Sequence, residues 1–75
     1  MESKDEQKLF TTLGKRITDL RKQRKFSQEQ LAAETGLDRV AIGYLEQGRR
    51  KPTVRTLHRI AKGLGTTLEE LLKGF

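Results

Sequence analysis

The sequence predicts an all-α fold of five short helices in one domain. Apolar residues recur at spacings of three and four in successive segments, as they do on the buried face of a helix. Ser, Asp or Thr stands before four of these segments, where such residues cap helix N-termini, and glycine follows them. A chain of 75 residues buries only about 60% of its unfolded surface, so we expect one small core, no second module and no small-molecule effector.

The first helix is predicted over residues 9–24, where Phe10, Leu13, Ile17 and Leu20 share one face. The segment before it, MESKDEQK, is polar and of mixed charge. We therefore expect a frayed tail at residues 1–8 and a folded domain at residues 9–75.

The second and third helices are separated by a glycine turn. Ser27 with Gln30 forms a capping-box pattern before the second helix, and Gly36 ends that helix. Asp38 is placed to cap the third helix, which Gly48 ends. These signals delimit two helices of about two turns each.

The fourth and fifth helices follow the same rules. Pro52 and Thr53 start the fourth helix and Gly65 stops it, while Thr67 with Glu70 forms a second capping-box pattern. The residues predicted to face inward on the fourth helix are Val54, Leu57, Ile60, Ala61 and Leu64, and the apolar residues of the fifth are Leu68, Leu71 and Leu72. Gly74 ends the last turn.

The central segment QEQLAAETGLDRVAIGYLEQ has the spacing of a helix-turn-helix. Two helices that cross near a right angle need a small residue such as Ala32 at the crossing, and Leu31, Ile42 and Leu45 supply the apolar contact that holds the angle. Such a unit places its second helix in the major groove of DNA. An ordinary helical hairpin is the alternative, but these residues seldom occur together by chance.

The net charge of +6 is unevenly distributed along the chain. One basic cluster consists of Arg21, Lys22, Arg24 and Lys25, and a second stretch without acids contains Arg49, Arg50, Lys51, Arg55, Arg59 and Lys62. Residues 26–47 between them contain four acidic residues and one basic residue. Basic residues on both sides of a helix-turn-helix are expected if they bind phosphates while the helix-turn-helix itself contacts base edges. A solvated basic face is the alternative.

The chain resembles the phage repressor and Cro-type regulators of the XRE family. The resemblance covers about residues 13–72 and rests on LRKQRKFSQEQLA, TGLDR, YLEQGRRKP and LHRIAKGLGTTLEELL. It implies a five-helix lambda-repressor-like DNA-binding domain. It also implies a transcription regulator that acts as a homodimer and reads palindromic double-stranded DNA through the major groove.

The same resemblance assigns DNA contacts to individual residues. Base contacts are implied for Leu37, Asp38, Arg39, Val40, Gly43 and Tyr44, and phosphate contacts for Lys25, Gln28, Gln47, Arg49, Arg50 and Lys51. Arg39 is the strongest candidate because bidentate pairing of arginine with guanine is the commonest specific contact. A salt bridge to Asp38 or a phosphate contact remains its alternative. Asp38 would cap the helix or accept from cytosine, and Tyr44 would meet DNA or form a partly buried aromatic edge.

Two structural roles complete these expectations. Arg21 and Glu46 stand where relatives have a partly buried ion pair between the first and third helices. The dimer interface is expected at the fifth helix and its surroundings, with Leu71, Leu72 or Phe75 exposed in the monomer. Phe75 suggests this, because a large apolar residue at the chain end has no evident intramolecular use. A frayed C-terminus is the alternative for Phe75.

The composition argues against an enzyme, a metal site or a cofactor. The chain has no cysteine, His58 is its single histidine, and no catalytic set of Ser, His and acid can be proposed. No apolar run is long enough for a membrane span or a signal peptide, so we expect a soluble, cytoplasmic protein. The rival function is an antitoxin or another protein-interaction module on the same fold.

Overall fold

The computed structural model describes residues 4–75, which form five α-helices and no strand. The helices are α1 (Lys4–Gln23), α2 (Gln28–Thr35), α3 (Arg39–Glu46), α4 (Val54–Gly63) and α5 (Leu68–Leu71). The predicted all-α, five-helix fold is confirmed. In this part of the chain no helix has the length and apolarity that a membrane crossing requires.

Each helix contributes one large, fully buried side chain to a single core. These side chains are Ile17, Leu31, Ile42, Ile60 and Leu71, in the order α1 to α5. The remaining core members are Leu13, Ala32, Leu45, Leu57, Ala61 and Leu64. Full burial of a Leu or Ile side chain is worth about 1.5–3 kcal/mol, so the five helices depend on one another for stability.

The predicted N-caps lie where the sequence places them. The side chains of Ser27, Asp38, Thr53 and Thr67 each accept a hydrogen bond from the backbone N–H three residues on. Both bonds of the Ser27–Gln30 capping box are present, at 3.0 and 2.7 Å. For Thr67 the observed bond is that from the Glu70 backbone, at 3.1 Å.

The first helix begins at Lys4, five residues before the predicted start at Leu9. Asp5 and Glu6 lie in its first turn, where negative charge favours the helix dipole. The Gln7 side chain donates to the backbone carbonyl of Gly48 at 3.2 Å, which ties this turn to the body of the domain. Residues 1–3 of the predicted tail lie outside the described residues.

Val54 is a second difference, since its side chain is 68% exposed although it shares helical spacing with Leu57 and Ile60. It is the first residue of α4. Because helical side chains tilt toward the N-terminus, a residue in the first turn extends past the end of the core. The apolar spacing therefore overstates the buried face by one turn.

Helices α1 and α3 approach each other closely at Gly14. A Cβ added to Gly14 would lie 2.5 Å from the backbone carbonyl oxygens of both Leu45 and Glu46. Gly48 makes a similar approach, where an added Cβ would lie 2.8 Å from the Cα of Thr11. The lack of a side chain at these two positions lets α1 lie against the C-terminal end of α3.

The C-terminal segment differs from the expected dimer surface. Leu71 is fully buried in the core, so it cannot be an exposed interface residue, and Leu72 is half-buried against the core. Phe75 is 44% exposed, but the Arg16 guanidinium lies 4.6 Å from the centre of its ring. Arg16 also donates to the backbone carbonyls of Leu71 and Lys73. Phe75 thus has the intramolecular contact that the sequence does not reveal.

Candidate nucleic-acid interface

The turn between α2 and α3 is held by both backbone and side chain. Gly36 adopts the left-handed conformation with φ +74°, and its N–H donates to the Ala32 carbonyl. Thr35 is buried, and its hydroxyl donates to the carbonyls of Leu31 and Ala32 while accepting from the Leu37 N–H. This turn sets the angle at which α3 leaves α2.

One side of α3 faces solvent because its other side is buried. Ile42 and Leu45 pack into the core, whereas Arg39 and Val40 are exposed, Val40 at 53%. At about 100° per residue, the solvent-facing side of α3 and its C-cap consists of the exposed Arg39, Val40 and Gln47 and the half-buried Gly43 and Tyr44. We call these five residues the reading face. Four of them were predicted to contact bases, and Gln47 was predicted to contact phosphate.

The turn residues Leu37 and Asp38 both have contacts within the protein. Leu37 packs partly against the core. Asp38 accepts from the Ala41 N–H at 2.7 Å and so serves as the N-cap of α3, one of the two roles that its position allowed. Arg39 is left as the long exposed donor at the first position of this helix.

Gly43 has space around it in the protein. Among the described residues beyond its own helix backbone, an added Cβ would have only the Gln28 Oε1 within 4 Å, at 4.0 Å. Internal packing therefore gives no reason for glycine in the middle of α3, although glycine is less favourable than alanine there by about 1 kcal/mol.

We expect Gly43→Ala to stabilise the free domain by about 0.5–1 kcal/mol. For a domain of this size that corresponds to a thermal midpoint about 2–8 °C higher, measurable by circular dichroism. A lower midpoint would show that the position is crowded in a way that the structure does not contain.

Glu46 joins α1, α2 and α3 from the back of the reading face. Its carboxylate accepts from the Arg21 Nε at 2.6 Å, from the Arg21 Nη2 at 3.1 Å and from the Gln28 Nε2 at 3.0 Å. The predicted ion pair is therefore present in bidentate form, with side-chain exposures of 12% for Arg21 and 5% for Glu46. Arg21 also donates to the Phe26 carbonyl at 2.8 Å.

The pKa of Glu46 reflects this environment. Burial alone would raise it, but the hydrogen bonds from Arg21 and Gln28, together with the charge of Arg21, outweigh burial and hold the pKa below its ordinary value of 4.5. Glu46 is therefore ionised at neutral pH, and Gln28 is fixed at the N-terminus of α2 beside α3.

The loop after α3 carries the second basic group. Arg49, Arg50 and Lys51 are all exposed. The Arg50 guanidinium lies 4.9 Å from the centre of the Tyr44 ring, and Lys51 pairs with Glu6 at 3.5 Å on the surface. The three predicted phosphate contacts thus lie together beside the C-terminal end of the reading face.

The first basic cluster is divided by the fold. Arg21 belongs to the ion pair, and Arg24 donates to the Leu64 carbonyl at the end of α4, at 2.9 Å. Lys22 and Lys25 are exposed. Lys25 has φ +58°, a left-handed conformation that glycine adopts at lower energy. The sequence groups four basic residues that the structure separates into two structural arginines and two exposed lysines.

Sequence reasoning missed several of these contacts. They join residues that are far apart in the sequence or lie in a loop. These contacts are the Gly14 crossing, the cap that Arg24 provides for α4, and the contact of Arg50 with the Tyr44 ring. No periodic pattern links such residues, so spacing alone carries no signal for them.

A model of a helix-turn-helix family, HTH_3, matches residues 17–71. The chain belongs to this family. Among its relatives, the control protein C.MunI of a Mycoplasma species is 41% identical over 59 residues, 77% of this chain and 80% of that protein. The immunity repressor of Bacillus phage phi105 is 36% identical over 61 residues, 81% of this chain but only 42% of the repressor.

Solved structures share the fold of this HTH_3 chain. The restriction-modification controller C.AhdI from Aeromonas hydrophila superposes with a TM-score of 0.82 at 33% identity, over 84% of this chain and 96% of that one. The P22 c2 repressor, crystallised with a synthetic operator, gives a TM-score of 0.75 at 33% identity over the same shares.

Proposed function

We propose that this HTH_3 protein is a cytoplasmic, sequence-specific transcription regulator of repressor or controller type. In this proposal α3 enters the major groove of double-stranded DNA and reads a palindromic operator. The observation that carries it is an exposed reading face, fixed from behind by the Arg21–Glu46–Gln28 network and bordered by exposed basic residues.

The residues divide into base readers and phosphate contacts. Arg39 and Val40 are the exposed side chains at the front of α3, suited to guanine O6 and N7 and to a thymine methyl group, respectively. Gly43 allows the helix backbone to approach the bases. Phosphate contacts are proposed for Gln47, within the reading face, and for Lys25, Gln28, Arg49, Arg50 and Lys51.

The relatives support this function over the alternatives. C.MunI and C.AhdI are named as controllers, the phi105 protein is named as a repressor, and the P22 c2 repressor was crystallised on operator DNA. These names argue against an enzyme. An antitoxin or interaction module on the same fold is the second candidate, because a fold does not by itself determine function.

Selection of bound sites from random DNA, followed by titration at several salt concentrations, tests the proposal. Arg39→Ala should reduce discrimination at one base pair per half-site by about 1–3 kcal/mol. Arg50→Ala should weaken binding to all sequences alike and lower the slope of log K against log salt by about one.

His58→Ala provides a matched control, since this exposed residue of α4 lies outside the proposed contacts. If neither arginine variant changes DNA binding, or if the wild-type protein selects no sequence, the interaction-module function gains and the regulator function is rejected.

We further propose a homodimer, because a palindromic site has two equivalent halves. Its two reading helices would lie about 34 Å apart. With Leu71 buried, the candidate surface is the exposed pair Leu9 and Phe75, which line one groove, together with the half-buried Leu72. Sedimentation equilibrium should show a concentration-dependent dimer that Phe75→Ser weakens at least tenfold. An unchanged dimer in that variant would place the interface elsewhere, and a monomer that binds only single half-sites would exclude the dimer.

A further inference from the structure

Arg50 and Tyr44 form a stacked pair at one edge of the reading face. The guanidinium carbon of Arg50 lies 4.9 Å from the centre of the Tyr44 ring, within the range of a cation–π interaction. The pair closes a short loop, because the Arg49 N–H also donates to the Tyr44 carbonyl at 3.0 Å. Arg50 is thus held from a loop onto a residue of α3.

The two edges of the reading face carry different side chains. Gln28 lies beside Gly43 at one edge, fixed there by its hydrogen bond to Glu46. Arg50 lies at the other edge, where it lines a small surface cavity with Ala41 and Thr53. A helix in the major groove has a phosphate backbone on each side, so a donor at each edge matches the two walls of the groove.

We propose that Tyr44 is a positioning residue, which holds the Arg50 guanidinium at the groove edge before DNA binds. This inference rests on the proposed DNA-binding function and gives Tyr44 a role through Arg50. Ordering a long side chain opposes binding, and a side chain already held in place avoids much of that loss. A cation–π contact requires no hydrogen-bond acceptor, so the guanidinium keeps N–H donors for a phosphate.

The pair can be observed directly by NMR, because an aromatic ring shifts the resonances of protons that lie over its face. In the free protein, the Arg50 side-chain protons should show upfield ring-current shifts by NMR. Tyr44→Phe should keep these shifts and Tyr44→Leu should abolish them. Normal Arg50 shifts in the wild-type protein would overturn the inference whether or not the protein binds DNA.

The effect on binding separates positioning from direct contact. On the DNA site selected by the wild-type protein, Tyr44→Leu should weaken affinity about two- to fivefold, with an unchanged salt slope because Arg50 still reaches its phosphate. Tyr44→Phe should bind with the affinity of the wild type, since the ring and not the hydroxyl holds the guanidinium. In an Arg50→Ala background, Tyr44→Leu should have no further effect.

Two results contradict the inference while leaving the proposed function intact. One is an equal loss from Tyr44→Leu in both backgrounds, which would show that the ring contacts DNA independently of Arg50. The other is a loss in Tyr44→Phe as large as that in Tyr44→Leu, which would show that the hydroxyl acts. Absence of any selective binding by the wild-type protein instead removes the proposed function, and the NMR shifts then decide whether the stacked pair exists.

Discussion

Replacing Glu46 by alanine is expected to destabilise the domain by about 3–5 kcal/mol, because it leaves the partly buried Arg21 guanidinium without its counter-charge. It also removes the acceptor that fixes Gln28. The whole stability of a small domain is about 5–15 kcal/mol, so the variant should melt at least about 12 °C lower. Thermal and urea unfolding by circular dichroism measure this loss.

Two control variants distinguish loss of the buried Arg21–Glu46 pair from the loss of any negative charge. Glu69→Ala removes an exposed glutamate of α5 and should change the midpoint by less than about 4 °C. Replacing Arg21 and Glu46 together by methionine should recover much of the loss, since no unpaired charge remains. A Glu46→Ala midpoint close to that of the wild type would show that the pair is exposed or absent in solution.

Acid titration tests the same network. Because the folded-state pKa of Glu46 is lowered, its contribution to stability is complete above its ordinary value of 4.5 and is lost as pH falls through the lower folded-state pKa. The wild type should therefore lose stability more steeply below pH 4.5 than Glu46→Gln does. Parallel curves for the two proteins would contradict this assignment.

The second large effect is expected at Gly14, where alanine should destabilise the domain although alanine is the better helix former. The added Cβ would lie 2.5 Å from two backbone carbonyl oxygens of α3, so α1 must move away from it. Overpacking of this kind costs about 1–3 kcal/mol, and rigid backbone on the opposing side favours the upper end.

Gly43→Ala is the matched comparison, since both glycines lie in the middle of helices and only Gly14 faces a neighbouring backbone. The two substitutions should shift the thermal midpoint in opposite directions. If Gly14→Ala also raised the midpoint, the close crossing of α1 and α3 would not exist in solution.

Local signals in the sequence predict most of this fold. The caps Ser27, Asp38 and Thr53 and the turn at Gly36 depend on residues within three positions, and the structure places them as predicted. The Arg21–Glu46 pair was predictable only through the family resemblance, because 25 positions separate its members. The sequence predicts the start of α1 too late. The first turn is held by the hydrogen bond from the Gln7 side chain to the Gly48 carbonyl, and these residues are 41 positions apart.

The location of the interface was predictable from the sequence, but which of its residues have structural contacts and which are exposed was not. Charge counting groups Arg21 and Arg24 with Lys22 and Lys25, yet the fold uses both arginines to join helices. Leu71 was one of three alternatives for an exposed interface residue, and it is fully buried. A helix of one turn has no resolvable apolar face that would separate its buried from its exposed residues. Such assignments depend on which elements meet in three dimensions.

The central proposal is that α3 reads bases in the major groove, and methylation interference on the selected operator tests it most directly. Dimethyl sulfate modifies guanine N7 in the major groove and adenine N3 in the minor groove, so one experiment reports on both. We expect binding to be blocked by guanine N7 methylation in two half-sites about one helical turn apart, with the signal at one guanine per half-site lost in Arg39→Ala. Interference confined to adenine N3, or no interference at either position, would contradict major-groove reading by α3.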